Sequence, residues 1–339
     1  MPPNWSDPAD AAADLAACHA MLCAGSRSFL AASRLLPRRV AEPAAALYAF
    51  CRMADDAIDE RGGSIGALRT RLARAYAGAP LPLPADRAMA AVVARHAIPA
   101  ALPEALLDGF AWDAAGRRYA DLASLADYAA RVAGSVGAMM ALLMGARSAA
   151  ALARACELGV AMQFSNIARD VGEDARAGRL YLPQNWLREA GIDPEAFLAN
   201  PVFTPALGSV VARLLAEADM LYRRAAPGIA LLPRSCRPGI GAARLLYAEI
   251  GHAVARQGFD SVARRATVSP VRRSFLLLRS VGAVLAPSRE TAAAPLAAIG
   301  FLVDAAAPAR AEARRSVDER IAWLVDLFTR LGERTQMES

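Results

Sequence analysis

The sequence predicts an all-α protein with a single large helical domain. Apolar residues recur at helical spacing along most of the chain, and neither a hairpin dipeptide pattern nor a fixed-period repeat is present. Aromatic residues make up only 6% of an alanine-rich sequence, a composition typical of helices rather than sheets. With 339 residues, 55% hydrophobic and 21% charged, the chain can bury one large core.

Proline and glycine mark the breaks between the expected helices. In chain order these breaks are GAPLPLPAD (78–86), AIPAALP (97–103), RAGRLYLP (176–183), NPVFTP (200–205) and LLPRSCRPGIG (231–241). We expect about a dozen helices of roughly 15 to 25 residues between them, packed around one core.

A change of character near residue 305 predicts a helical domain over residues 1–304 and a C-terminal extension over residues 305–339. The extension ends in an amphipathic helix with an apolar side. That side carries Val317, Ile321, Leu324, Phe328 and Leu331. Such a helix most often packs on its own protein, and a membrane surface or a partner is the alternative.

Charge and residue usage narrow the function classes. A net charge of +6 favours polyphosphates, anionic lipid or nucleic acid, but the arginines are dispersed and not interleaved with aromatics, which disfavours nucleic acid. Five cysteines without C-x-x-C spacing indicate reduced thiols, and three scattered histidines disfavour a zinc site or a Ser-His-Asp triad. The absence of a signal peptide or a long apolar span predicts a cytoplasmic protein, soluble or peripheral to a membrane.

Two acidic pairs stand in apolar surroundings. Asp55 and Asp59, and likewise Asp170 and Asp174, are four residues apart and share one helix face. Like charges about 6 Å apart repel by roughly 3 kcal/mol at an effective dielectric of 20, so each pair requires cations. Arginines such as Arg52 and Arg169 could supply them as an ion-pair network. The alternative is Mg²⁺, which binds carboxylate oxygens together with water and substrate phosphate.

The residues near these acids favour Mg²⁺ over an arginine network. One polar stripe at helical spacing runs along an otherwise apolar helix and consists of Gln163, Asn166, Asp170 and Asp174. Near the N-terminus, Arg27 lies between two serines and offers a guanidinium and hydroxyls suited to phosphate oxygens.

The chain resembles the squalene and phytoene synthase family of head-to-head trans-isoprenyl diphosphate synthases from about residue 19 to residue 265. Its bacterial phytoene-forming members are the most similar group. The motifs that carry the resemblance are GSRSF (25–29), ALYAFCRMADDAID (46–59), GFAWD (109–113), YAARVAGSVGAMM (128–140) and AMQFSNIARDVGEDARAGRLYLP (161–183).

The resemblance implies an isoprenoid synthase fold in which two aspartate-rich helices face each other across a central cavity. Mg²⁺, or Mn²⁺ in its place, would be bound by Asp55, Asp59, Asn166, Asp170 and Asp174. Diphosphate oxygens would be contacted, or the cluster ordered, by Arg27, Ser28, Arg52, Gln163, Arg169 and Tyr181. Further cavity candidates are Tyr48, Tyr247 and Arg264. Asp56 points about 100° away from Asp55 on a helix, so we expect it to support the site rather than bind metal.

One departure from the family concerns the segment before Val132. Family members commonly carry two tyrosines separated by one residue there, whereas this chain has Tyr128 followed by Ala129 and Ala130. A role for the second aromatic therefore cannot be transferred to this chain.

The implied reaction joins two geranylgeranyl diphosphates through prephytoene diphosphate to phytoene, a step of carotenoid biosynthesis, with release of diphosphate and without NADPH. Because a C40 hydrocarbon is insoluble in water, we expect peripheral association with the inner membrane and contact with other enzymes of the pathway.

Three alternatives remain open. The first is the same chemistry on C15 chains, giving presqualene diphosphate, dehydrosqualene or squalene. The second is a head-to-tail elongase, whose D-D-x-x-D also fits residues 55–59, although the later motif lacks a doubled aspartate. The third is a non-catalytic relative that acts as an assembly factor; such relatives tend to lack the acids that this chain keeps.

Overall fold

Fifteen α-helices and no β-strand form the part of the chain that the computed structural model describes, residues 8–59, 64–282 and 294–307. The prediction of an all-α protein is therefore confirmed. In chain order the helices are α1 Pro8–Gly25, α2 Arg27–Ser33, α3 Arg38–Asp59, α4 Ile65–Tyr76, α5 Pro84–His96, α6 Ala101–Ala114, α7 Leu122–Ala129, α8 Ser135–Leu143, α9 Ala149–Arg176, α10 Gln184–Glu189, α11 Pro194–Ala199, α12 Pro205–Ala225, α13 Arg237–Arg256, α14 Pro270–Val281 and α15 Gly300–Ala306. A π-helical turn, Ala130–Gly134, joins α7 to α8.

The longest helix, α9, lies at the centre of the fold and packs against α8, α12 and α13. Its start is fixed by Ser148, whose side chain accepts a hydrogen bond from the Ala151 backbone N–H. It ends at Arg176, just before Gly178 in the left-handed conformation. Because apolar residues occupy almost every turn of α9, helices cover it on several sides and leave only one stripe facing the cavities.

The proline-rich breaks fall between helices, as predicted, but the expected helix lengths were wrong for several elements. Helices α10 and α11 have six residues each, and α2 has seven. The start of α11 is fixed by its N-cap: Asp193 accepts hydrogen bonds from two backbone N–H groups, and Pro194 occupies the first helical position. Apolar periodicity alone does not register such closely spaced stops.

The predicted C-terminal amphipathic helix lies outside the described residues. The described residues up to Ala306 belong to one compact unit. Within the described chain, none of the helices combines the length and the apolar character needed to cross a bilayer.

Candidate active site

Two cavities lie along one face of α9 and share part of their walls. The acidic cavity is lined by Asp55, Asp113, Asp170 and Asp174 among others. The apolar cavity is lined mostly by aliphatic side chains from α8, α9 and α13. The residues that line both are Val132, Val136, Gln163 and Asn166. The predicted polar stripe therefore begins at the junction of the two cavities and ends in the acidic one.

The two aspartates of the second acidic pair lie on one face of α9, but their pKa values are shifted in opposite directions. Burial alone would raise the pKa of Asp170, but hydrogen bonds from Arg169 and Arg265 hold it below its ordinary value. Burial, reinforced by the charge of Asp170, raises the pKa of Asp174 to about 7. The acidic cavity thus has one firmly ionised carboxylate beside one that holds a proton near neutral pH.

The first acidic pair lies at the C-terminal end of α3. Asp55 lines the acidic cavity, whereas Asp56 does not and instead accepts hydrogen bonds from Arg52. The guanidinium of Arg52 also lies 3.6 Å from Asp55. Only the backbone of Asp59 is described, so the placement of its side chain is left open. The arginine network considered from the sequence is thus present around Asp56 and Asp170.

A third carboxylate, Asp113 of α6, is the centre of a tyrosine cluster. It accepts hydrogen bonds of 2.8 Å from the hydroxyls of Tyr128 and Tyr181. The ring of Tyr119 lies 5.2 Å from that of Tyr128 and 6.1 Å from that of Tyr181, centroid to centroid. Burial raises the pKa of Asp113 to about 6, even though both tyrosines stabilise its ionised form, and raises the pKa of all three tyrosines. The tyrosines therefore keep their protons at neutral pH.

A close backbone approach brings the segment after α13 onto the acidic cavity. The backbone N–H of Gly172 on α9 donates to the carbonyl of Ser261, and a Cβ at position 172 would lie 2.5 Å from the carbonyl oxygen of Val262. Only glycine permits this approach. As a result Arg265 reaches Asp170 at 2.8 Å and Glu173 at 3.3 Å.

The remaining predicted residues are divided between the cavities and the surface. Tyr48 lines the acidic cavity and Tyr247 the apolar one. Ser28 is half-buried and lies outside the linings of both cavities, and the side chain of Arg27 is not described. Arg264 is exposed and lies outside the linings of both cavities. Its neighbour Arg265 binds the acid instead, because the irregular backbone there turns adjacent side chains in different directions.

The acidic cavity suits a hard divalent cation. Carboxylates line it, and the buried Oδ1 of Asn166 has no hydrogen-bond partner among the described residues. An oxygen left in this state is destabilising unless a ligand occupies it. No three His, Cys, Asp or Glu side chains of the described chain come together closely enough to hold a metal alone. That arrangement fits Mg²⁺, which keeps water and phosphate ligands, better than an all-protein cage.

Sequence reasoning missed three residues of this site, Asp113, Arg179 and Arg265, and assigned no role to Tyr128. Asp113 has no acidic partner at helical spacing, so a search for paired aspartates passes over it; its signal was its place at the end of the GFAWD segment. Arg179 lines the acidic cavity. Its positive charge opposes the rise in pKa that burial causes at Asp113 and Asp174. Tyr128 supplies a hydroxyl to Asp113, and Ala130 is buried at the start of the π-helical turn.

Comparison with known proteins gives consistent matches. The family model described as "Squalene/phytoene synthase" matches residues 22–272. A "Phytoene synthase" of Rhodobacter capsulatus is 52% identical over 317 residues, covering 90% of this chain and 94% of the relative. One of Cereibacter sphaeroides is 51% identical over 324 residues, covering 90% and 91%. A crystal structure of a dehydrosqualene synthase in complex with ligand superposes with a TM-score of 0.75 at 31% identity, covering 81% of this chain and 98% of that one.

Proposed function

This chain belongs to the squalene/phytoene synthase family, and on that premise we propose that it is a phytoene synthase. It is a prenyltransferase that joins two molecules of geranylgeranyl diphosphate head to head, forms prephytoene diphosphate, and converts it to phytoene with release of diphosphate. The relatives named phytoene synthase, at 51% and 52% identity over 90% of the chain, support this product.

The observation that carries the proposal is the meeting of an acidic and an apolar cavity along α9. Cavity-lining residues of this helix extend from Ala151 to Asp174, about 34 Å at 1.5 Å per residue. A prenyl diphosphate has the same division, with a charged head and a long hydrocarbon tail. The shared wall at Gln163 and Asn166 would then lie beside the reacting carbons.

The chain's own residues would bind the head, order it and exclude water. Bound Mg²⁺, held by Asp55, Asn166, Asp170 and Asp174, with Asp59 as a further ligand, would neutralise the leaving diphosphate. Four arginines surround the same acids and offer guanidinium donors to phosphate oxygens: Arg52, Arg169, Arg179 and Arg265. The apolar wall beyond Gln163 shields the allylic cation from water.

The final deprotonation needs a base. Tyr128 and Tyr181 keep their protons and already donate them to Asp113, which disfavours both as bases. Released diphosphate is a base of suitable strength and would be present in the site after each ionisation. We propose that the released diphosphate accepts the proton. The tyrosine cluster orients Asp113 toward the cavity.

Association with a membrane surface is part of the proposal, because the C40 product must leave into lipid. The described surface contains a suitable feature on α14, where Val271 is 82% and Leu278 is 74% exposed. The same helix carries Arg272, Arg273 and Arg279 and no acidic residue, which complements an anionic lipid surface.

The direct test is purified protein with Mg²⁺ and geranylgeranyl diphosphate, without NADPH. We expect a C40 hydrocarbon and two diphosphates for each product molecule. Asp170→Ala should abolish both, because it removes a carboxylate at the centre of the acidic cavity. Absence of any C40 product from the unaltered protein would overturn the assignment. Full activity in Asp170→Ala would instead favour a structural role for the acidic pair.

A further inference from the structure

A buried arginine lines the apolar cavity, where hydrocarbon contacts are otherwise expected. Arg154 of α9 is only 5% exposed and shares the cavity wall with Met144, Ala151 and Leu158. It lies toward the N-terminal end of α9, away from the acids and about 160° around the helix from Asp170 at 100° per residue, where the apolar cavity still reaches it. The catalytic proposal gives this guanidinium no task.

Glu157 holds the guanidinium in place. Arg154 Nη1 lies 2.9 Å from Glu157 Oε2, and Glu157 is fully buried. The other oxygen of Glu157 accepts hydrogen bonds from Arg224 at 2.7 Å and from the Leu296 backbone N–H at 3.0 Å. Separating Arg154 from Glu157 would leave a buried charge without one of its partners, a change that is strongly unfavourable. The arginine is therefore a stiff part of the wall, unlike the flexible methionines beside it.

The stem of Arg154 is also fixed by packing. It lies against Gly228, where a Cβ would come within 2.3 Å of Arg154 Cβ and 2.7 Å of Cγ. Ile229 and Leu232 follow on the same side of the cavity. The ion pair and this backbone contact together leave the side chain little room to swing away from a hydrocarbon.

The rise along α9 between Asp170 and Arg154 is comparable with the length of one prenyl diphosphate. Asp170 follows Arg154 by 16 residues, about 24 Å along the helix. An extended chain advances about 1.2 Å per bond, so the roughly 15 main-chain bonds of a C20 prenyl group span about 18 Å. About 6 Å then remains for the diphosphate and its metal ions. A C15 chain, at about 13 Å, would stop short of the arginine, and a C25 chain, at about 23 Å, would collide with it.

We infer that Arg154, held by Glu157, closes the apolar end of the cavity and sets the longest prenyl chain that the enzyme accepts. The inference rests on the proposed function, since it assigns the prenyl tail to the apolar cavity. Arg154 acts as a specificity residue by contact with the end of the tail, and the ion pair keeps it from yielding.

The test compares three variants with the unaltered full chain. Arg154→Ala removes the end wall, and Arg154→Met replaces it with a flexible apolar side chain. Arg224→Ala is the matched control, because Arg224 binds the same buried glutamate but does not line either cavity. For each protein, kcat/KM is measured with C25 and C20 prenyl diphosphates, and the melting temperature reports whether the fold is kept.

We expect the C25-to-C20 ratio of kcat/KM to rise roughly ten- to hundredfold in Arg154→Ala, since a few methylenes in an apolar pocket change selectivity on that scale. The rise should be smaller in Arg154→Met and absent in Arg224→Ala. If Arg154→Ala does not fold, Arg154→Met carries the test. An unchanged ratio in the folded Arg154 variants, or an equal rise in Arg224→Ala, would overturn the inference. Failure of the unaltered protein to use C20 substrate would instead refute the proposed function.

Discussion

Asp113 shows how a single side chain can organise a site without belonging to a paired motif. Its two oxygens each accept one tyrosine hydroxyl, which fixes Tyr128 and Tyr181 relative to the acidic cavity. Asparagine at this position keeps the size but offers only one acceptor oxygen, so one tyrosine loses its partner. We expect Asp113→Asn to lower kcat roughly a hundredfold, the scale of a small misplacement of reacting groups.

Steady-state kinetics and a melting curve on Asp113→Asn separate this effect from unfolding. Tyr76→Phe serves as the control, because Tyr76 donates to the Ile98 backbone carbonyl and lies outside both cavities. Unchanged kcat in Asp113→Asn, or an equal loss in Tyr76→Phe, would contradict the role given to Asp113.

The adjacent acids Asp55 and Asp56 differ in what they face. Asp56 pairs with Arg52 on a half-exposed surface, where an ion pair contributes about 1 kcal/mol or less. Asp55 lines the acidic cavity. Asp56→Asn should therefore keep turnover within a few-fold, whereas Asp55→Asn or Asp59→Asn should lower it by roughly a hundredfold or more. Measured turnover that falls equally in Asp55→Asn and Asp56→Asn would remove the distinction.

In metal-free protein, we expect Asp174 to give the free energy of unfolding an unusual dependence on pH. Its pKa is raised from 3.8 to about 7, so between these values the folded chain holds a proton that the unfolded chain has lost. Stability due to this group is therefore highest at acidic pH and falls as pH rises toward 7. Asp174→Asn removes the ionisable group, and we expect it to melt a few degrees above the unaltered protein at pH 8 but not at pH 4.5.

Melting curves of both proteins across that range, recorded with a chelator present, check the prediction. A difference in melting temperature that does not vary with pH would show that Asp174 is ionised throughout.

At the scale of elements, the closeness of α9 to its neighbours depends on residues without side chains. A Cβ at Gly159 of α9 would lie 2.2 Å from the Ala133 carbonyl oxygen and 3.0 Å from the backbone nitrogen of Gly134. Backbone cannot rotate out of the way as a side chain can. We expect Gly159→Ala to destabilise the fold by roughly 1–3 kcal/mol, measured by denaturant unfolding.

The matched control for that substitution is Gly66→Ala in α4, where the nearest contact of a new Cβ would be an ordinary 3.4 Å from Ser64 Oγ. Alanine is the better helix former, so this variant should be as stable as the parent or slightly more. Equal effects of the two substitutions would mean that the crossing near Gly159 is looser than its backbone distances imply.

These elements also show what the sequence could and could not predict. The polar stripe of α9 was predictable because helical spacing alone puts its members on one face. These are Gln163, Asn166, Asp170 and Asp174. Arg265 was not, because it reaches Asp170 through an irregular segment held by a backbone contact at Gly172, and no local pattern encodes that contact. Asp113 was hidden for the same reason, since its tyrosine partners come from other parts of the chain.

At the scale of the whole molecule, α14 offers a surface for lipid. Arg272 binds the buried Glu249 of α13 at 2.9 Å, and Leu276 and Ser280 of α14 are buried. These contacts fix the rotation of the helix and turn Val271 and Leu278 outward. We expect the protein to sediment with vesicles that contain anionic lipid and to be released as salt rises.

Val271→Asp combined with Leu278→Asp should reduce that binding severalfold or more, because two carboxylates replace the apolar contacts and repel the headgroups. Val202→Asp, at another exposed apolar position between α11 and α12, is the control and should bind as the parent does. Equal binding by the double variant, or no binding by the parent at low salt, would argue against a membrane role for α14.

On the proposed function, the cavities along α9 join two C20 chains in preference to two C15 chains. The most direct measurement offers farnesyl and geranylgeranyl diphosphates in equal amounts to the purified enzyme with Mg²⁺, without NADPH, and quantifies the hydrocarbons formed. We expect a C40 product in large excess over C30 and mixed C35 products. A predominance of C30 product would contradict it and place the chain among the C15-specific members of the family.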